Sequence, residues 1–211
     1  MQSLVQLFDF VGPEGPSSSS TEPQGSRRLL LAAVACLAAI AFAGVWGVAA
    51  GSHAGRLAFD NAVKVPMLLV VSSLAALPAS LLLFRLTARK GRVTDLLVGH
   101  SAGMFTGTLV LALLAPLVAL YQYSSAWAGP MVAFVSAGIG ILVGVAIAIR
   151  VLRKLLPGNE ERRGAILPVG LLVVLQTAAL LQLASMTSAV FPTRTMFGRG
   201  IDAISQTEAT P

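Results

Sequence analysis

Side chains capable of acid–base or metal chemistry are few and far apart in this sequence. Its 211 residues include a single cysteine, Cys36, and two histidines, His53 and His100. Cys36 lies inside an apolar run, so we interpret it as a small packing residue. Neither the spacing of a metal site nor a Ser/His/Asp or Cys/His set for nucleophilic catalysis is evident. We therefore predict no catalytic residue, no metal site and no cofactor.

Three polar residues in apolar surroundings, His100, Gln176 and Gln182, form a candidate polar site. His100 follows Asp95 by about one helical turn. We favour the interpretation that His100 is an interfacial histidine near the lipid headgroups. The alternatives are that it is a titrating or gating group, or the base of a lipid-modifying enzyme. For the two glutamines we favour hydrogen bonds between helices over substrate binding.

Two stripes of small residues recur at fourfold spacing, which places each stripe on one face of a helix. They consist of Gly99, Gly103 and Gly107, and of Ser136, Gly140 and Gly144. Such faces allow two helix backbones to approach closely inside a membrane. We favour packing within one bundle, and association with a second copy or another membrane protein is the alternative.

The elements that must position these residues are long apolar segments. The chain is 55% hydrophobic and only 11% charged, and its mean hydropathy is +0.80. A hydrocarbon core of about 30 Å requires roughly 20 residues of helix, and five uncharged segments meet that length. They are residues 29–50, 65–84, 96–120, 130–149 and 165–191. We predict an all-α, polytopic transmembrane bundle of five spans. A membrane β-barrel is excluded, because its strands alternate apolar and polar residues and these segments are continuously apolar.

The parts outside the bundle are short. Residues 1–26 are predicted to be a flexible cytoplasmic tail. The apolar residues near its start form either a short interfacial helix or a peptide that docks a cytosolic partner, or they are simply a frayed end. Residues 27–192 form the transmembrane domain, and 193–211 a short polar exterior tail. Residues 29–50 are either a retained span, which their length favours, or a cleaved signal.

Basic residues predict the orientation. Eleven of the fifteen Lys and Arg residues lie before span one, between spans two and three, or between spans four and five. The positive-inside rule then places the N-terminus in the cytoplasm and the C-terminus outside. The net charge of +6 is accordingly a topology signal that also suits anionic lipid headgroups, and we expect no nucleic-acid partner.

The second span carries a family-like motif: Lys64 and Pro66 open it, Pro78 follows, and Phe84 lies at its end. This pattern resembles bacterial membrane proteins of the Yip1-like type over roughly residues 61–191. The resemblance implies five helices, a bacterial cytoplasmic membrane and a role in membrane organisation without chemistry. Eukaryotic relatives have an acidic segment just before their first helix, and here only residues 9–13, well upstream, resemble it. The small-GTPase partners of those relatives are therefore not expected for this chain.

Two functions follow as hypotheses. We favour a non-enzymatic scaffold, assembly factor or accessory subunit that associates through its helices. The alternative is a channel or transporter for a neutral or apolar solute, which would require a polar cavity between the helices. The odd number of spans and the absence of an internal repeat disfavour a repeat-built transporter.

Overall fold

A computed structural model of the chain describes residues 24–88, 91–125, 127–156 and 158–186. Within these ranges every regular element is a helix. The helices are α1 (Gln24–Ala50), α2 (Gly55–Thr87), α3 (Val93–Ser124), α4 (Ala128–Leu155), α5 (Asn159–Gly164) and α6 (Ile166–Met186). The all-α prediction is thus confirmed. The predicted interfacial helix and the exterior tail lie outside the described residues.

Five helical segments are long and apolar enough to cross a membrane, as predicted. They are Arg28–Ala50, Gly55–Thr87, Val93–Ser124, Ala128–Leu155 and Asn159–Leu183. The chain is therefore a multi-pass membrane protein by the length and composition of its helices.

The helices of spans one to four are longer than predicted, mainly because the predicted spans were ended at charged residues. The end predicted for span five, residue 191, lies outside the described residues. The helix of span two begins at Gly55 rather than at residue 65, and its 33 residues extend about 50 Å. A helix may leave the hydrocarbon core without ending, since headgroups and water solvate its outer turns. The charged side chains of Asp60 and Lys64 consequently lie on α2 itself, and Asp95 lies in the first turn of α3.

The five long helices pack as an open ring. α1 packs against both α2 and α3, α3 packs extensively along α4, and α2 packs along α6. Direct packing between α2 and α3, and between α4 and α6, is sparse. The order around the ring is therefore α6, α2, α1, α3 and α4, with a gap on the side where α4 and α6 face each other.

Two apolar clusters close the two ends of the bundle. At one end, Phe84 packs with Leu96, Leu152, Leu156 and Val169, which joins α2, α3, α4 and α6. We call this the basic end, since the described arginines near the helix ends on this side are Arg28, Arg85, Arg92, Arg150, Arg153, Arg162 and Arg163.

At the opposite end, Trp46 of α1 packs with Ala115 and Val118 of α3 and with Ala133 of α4. The indole N–H of Trp46 donates to Ser136 Oγ at 3.0 Å. Ser136 in turn donates to the carbonyl oxygen of Ala133 at 2.7 Å. The residue that opens the second small-residue stripe thus also ties α4 to α1.

Candidate functional site

The two glycine stripes lie directly against each other where α3 crosses α4. A Cβ atom placed on Gly103 would lie 2.6 Å from the Gly144 carbonyl oxygen, and one placed on Gly144 would lie 2.8 Å from that of Gly103. A Cβ on Gly107 would lie 2.7 Å from the Gly140 carbonyl oxygen. Gly99, one turn nearer the basic end, leaves more room, since its Cβ would lie 3.4 Å from the Ala148 carbonyl oxygen. Both stripes are therefore occupied within the chain.

A cleft of about 130 Å³ opens beside this crossing, between the α3–α4 pair and the α2–α6 pair. Besides the glycines, its lining includes Leu69, Leu96, His100, Met104, Thr108, Ile141, Val145, Leu152, Val169, Val173 and Gln176. The cleft exists because α4 and α6 hardly touch, which leaves this side of the ring unfilled. Its walls are mainly apolar, so it suits an apolar occupant with few polar atoms.

His100 is the one ionisable side chain among the described residues that line the cleft. It is only 9% exposed, and its Nε2 is buried without a hydrogen-bond partner in the described part of the chain. A buried polar nitrogen without a partner costs free energy, because it has lost its hydrogen bonds to water. His100 is therefore the cleft residue with the most to gain from a hydroxyl or carbonyl group of a ligand.

Gln176 lines the cleft from α6 and is held by a hydrogen bond to α2. Its Nε2 donates to Ser73 Oγ at 2.9 Å, while Ser73 donates to the Leu69 carbonyl oxygen at 2.8 Å. The structure thus brings His100 and Gln176 to one cavity. Gln182, the third residue of the candidate polar site, is exposed and lies outside it. Six residues correspond to about 240° around a helix, so Gln182 belongs to a different face from Gln176.

A basic groove lies beyond the cleft at the basic end. Its walls are Ala146, Ile149, Arg150, Arg153 and Lys154 of α4 and Arg162 of α5. A small connecting pocket shares Arg153 and Arg162 with this groove and shares Leu152 and Val169 with the cleft. Along α4 the cleft spans residues 140–152 and the groove spans residues 146–154, so the two overlap in height and lie on different faces of the helix. Leu152 and Val169, which separate the connecting pocket from the cleft, belong to the buried cluster of the basic end. The sequence assigned these arginines to topology and, in general terms, to anionic lipid headgroups, and it did not indicate the groove.

An ion pair joins α1 to α3 at the same end. Arg28 Nη1 lies 2.9 Å from Asp95 Oδ1, and Asp95 Oδ2 accepts the backbone N–H of Arg92 at 3.0 Å. Asp95 is buried, with 4% of its surface exposed. The predicted span three began at residue 96 and left Asp95 outside it, and nothing local in the sequence signals a partner that lies 67 positions away.

The residues of the family-like motif are distributed along α2. Phe84 is fully buried in the cluster of the basic end, and Pro66 is buried near Gly44 of α1. Lys64 is half-buried, and Pro78 is exposed. The motif residues therefore do not form one site.

Among the described residues, no group of His, Cys, Asp and Glu side chains is arranged to hold a metal ion. No protein-family model matches the chain, and neither a curated protein nor a solved structure matches it.

Proposed function

We propose that this chain is a non-enzymatic membrane protein that binds an apolar solute of the bilayer in the cleft. A channel or transporter would require a polar cavity, and the mainly apolar walls of the cleft favour binding of an apolar solute over conduction. The observation that carries the proposal is the mainly apolar cavity lined by His100, a residue whose Nε2 is buried and has no hydrogen-bond partner among the described residues. The sparse packing between α4 and α6 offers a lateral route from the membrane.

Binding would use the two polar side chains of the cleft in different ways. Gln176 is held by Ser73, so it provides a fixed polar point on α6. His100 lines the same cleft from α3, and its Nε2 has no hydrogen-bond partner in the described part of the chain. A solute with one hydroxyl or carbonyl group would then satisfy Nε2, while its apolar part fills the rest of the cleft. A single ionisable side chain gives no acid–base pair, which supports a role without chemistry.

Uptake of a tritiated long-chain fatty alcohol by the purified chain in detergent tests this proposal. We expect saturable binding that Val173→Trp abolishes, because Val173 lines the cleft. Val174→Trp is the matched control, since Val174 is 64% exposed on the same helix and should leave binding unchanged. His100→Leu should weaken binding of the alcohol by about tenfold, the value of one buried hydrogen bond, and leave binding of the corresponding alkane unaffected. Equal uptake by wild type and Val173→Trp would refute the proposal.

A scaffold or accessory role is the second proposal. The described helices are joined by connections of at most five residues, such as 88–92, so a partner would meet this part of the chain mainly within the membrane. Because both glycine stripes are already paired, association would have to use other helix faces. Crosslinking or native mass spectrometry in lipid tests it, and a persistent monomer across detergents would argue against it.

We further propose that the basic end faces the cytoplasm, which the excess of arginine there supports. The resemblance to Yip1-like proteins supports a bacterial cytoplasmic membrane as the location.

A further inference from the structure

We propose that the cleft selects a neutral lipid whose head group is a hydroxyl, and that Ser73 sets this preference by fixing the amide of Gln176. This inference rests on the solute-binding role proposed above and names the class of solute. It is carried by a chain of hydrogen bonds that leaves one amide oxygen of the cleft without a donor.

The hydroxyl of Ser73 determines which end of the Gln176 amide faces it. Ser73 Oγ donates to the Leu69 carbonyl oxygen at 2.8 Å, and Met104 Sδ, which also can only accept, lies 3.4 Å away. A hydroxyl has one hydrogen, so its oxygen is left to accept a hydrogen bond from Gln176. The amide therefore presents Nε2 to Ser73, at 2.9 Å. The reversed amide would place Oε1 against the Ser73 oxygen and lose one of these hydrogen bonds.

Fixing the amide in this way leaves its oxygen as an unused acceptor. Gln176 lines the cleft, and no described residue donates a hydrogen bond to its Oε1. A ketone, ester or ether can use the donors of the cleft, but it leaves Oε1 unpaired. A hydroxyl donates to Oε1 and keeps its lone pairs for the N–H of His100, which lines the same cleft. The cleft therefore favours a head group that donates a hydrogen bond.

The head group is also expected to be uncharged. Ser73 and Gln176 lie near the middles of α2 and α6, which places them at the depth of the hydrocarbon core. Among the described residues no Lys, Arg, Asp or Glu lines the cleft, so a phosphate, ammonium or carboxylate group would find no counter-charge there. A single hydroxyl on a long apolar chain meets both conditions.

Competition of unlabelled lipids with a tritiated long-chain fatty alcohol, on the full chain in detergent, tests this inference. The competitors are a secondary long-chain alcohol and the methyl ketone of the same carbon skeleton. We expect wild type to bind the alcohol about tenfold more tightly than the ketone, the value of one buried hydrogen bond. In Ser73→Ala the released amide can turn either its N–H or its oxygen to the ligand, so this preference should disappear. Ser72→Ala is the matched control and should keep the preference, because the Ser72 hydroxyl, also buried, donates only to the same Leu69 carbonyl oxygen, at 3.0 Å.

Binding of the ketone separates loss of selectivity from loss of folding. Ser73→Ala should still bind the ketone, which shows that its cleft is intact, and Gln176→Leu is a second variant that should lose the preference. Equal affinities of wild type for the two competitors would overturn the inference, as would a preference that survives in Gln176→Leu or an equal loss in Ser72→Ala and Ser73→Ala. If the tritiated alcohol still binds saturably in that case, the solute-binding role stands and only the head-group assignment fails, whereas absence of saturable binding refutes both.

Discussion

Arg28 Nη1 lies 2.9 Å from Asp95 Oδ1, and this contact fixes the start of α1 against the first turn of α3. Asp95 is nearly buried and also accepts the Arg92 backbone N–H, whereas a quarter of the Arg28 side chain remains exposed. The pair thus joins two helices where the bundle meets the headgroups, and the exposed fraction of Arg28 limits its strength through solvent screening.

Asp95→Ala should lower the free energy of unfolding by about 2 kcal/mol, because it removes both the ion pair and the cap of α3. Unfolding in mixed micelles by denaturing detergent measures this. Arg85→Ala, an exposed arginine at the same end, should change stability by less than about 0.5 kcal/mol. In a double-mutant cycle we expect Arg28→Ala and Asp95→Ala to be coupled by about 1 kcal/mol. Strictly additive losses would show that the pair does not act as a unit.

The glycine crossing of α3 and α4 should not accept a methyl group. Gly103→Ala should destabilise the chain by about 2 kcal/mol or more, since the new Cβ would overlap the Gly144 carbonyl oxygen and force the helices apart. Gly138→Ala is the matched control on α4, because nothing lies within 4 Å of a Cβ at that position. It should be neutral or slightly stabilising, as alanine is the better helix former by about 1 kcal/mol. Similar losses for the two variants would argue against the observed crossing.

The Trp46–Ser136 hydrogen bond provides a spectroscopic test of the α1–α4 contact. In a Trp127→Phe background, fluorescence reports on Trp46 alone, since the chain has two tryptophans. Ser136→Ala should shift the emission and cost about 1–2 kcal/mol, because it leaves the buried indole N–H without an acceptor. Ser80→Ala removes an equally buried hydroxyl that donates only within its own helix, to the Ala76 carbonyl oxygen. The Ser80→Ala variant should therefore keep the emission of its parent. If the emission of Ser136→Ala is also unchanged, the contact between Trp46 and Ser136 is contradicted.

Orientation can be tested with single cysteines. Replacing Cys36 by serine removes the only native thiol, after which Gly158→Cys and Ala54→Cys place one thiol at each end of the bundle. We expect a membrane-impermeant maleimide to label the Ala54→Cys variant in intact cells and the Gly158→Cys variant only after lysis. The reverse pattern would place the basic end outside.

The number and type of the helices were predictable because uncharged runs of about 20 residues have few alternatives in a membrane. The ends of the helices were not predictable, because helices continue through the headgroup region. The start of α2 at Gly55 is an example. The small-residue stripes were also evident, because fourfold spacing identifies a face. Spacing does not identify the partner of that face, so the contact between Gly103 and Gly144 required the tertiary structure.

The candidate site was predictable only in part. His100 and Gln176 stood out as polar residues in apolar segments, and both line the cleft. The cleft itself arises from the gap between α4 and α6, a property of packing that has no local sequence signal. Ser73, which holds Gln176, was missed because a serine within a helix usually donates to its own backbone, as Ser73 also does.

An experimental structure of the chain in a lipid nanodisc shows whether the cleft beside His100 holds an apolar solute. We expect elongated density between α3, α4 and α6, with a polar atom within about 3.5 Å of His100 Nε2. An α4–α6 contact that closes the gap and leaves no space beside His100 would contradict it.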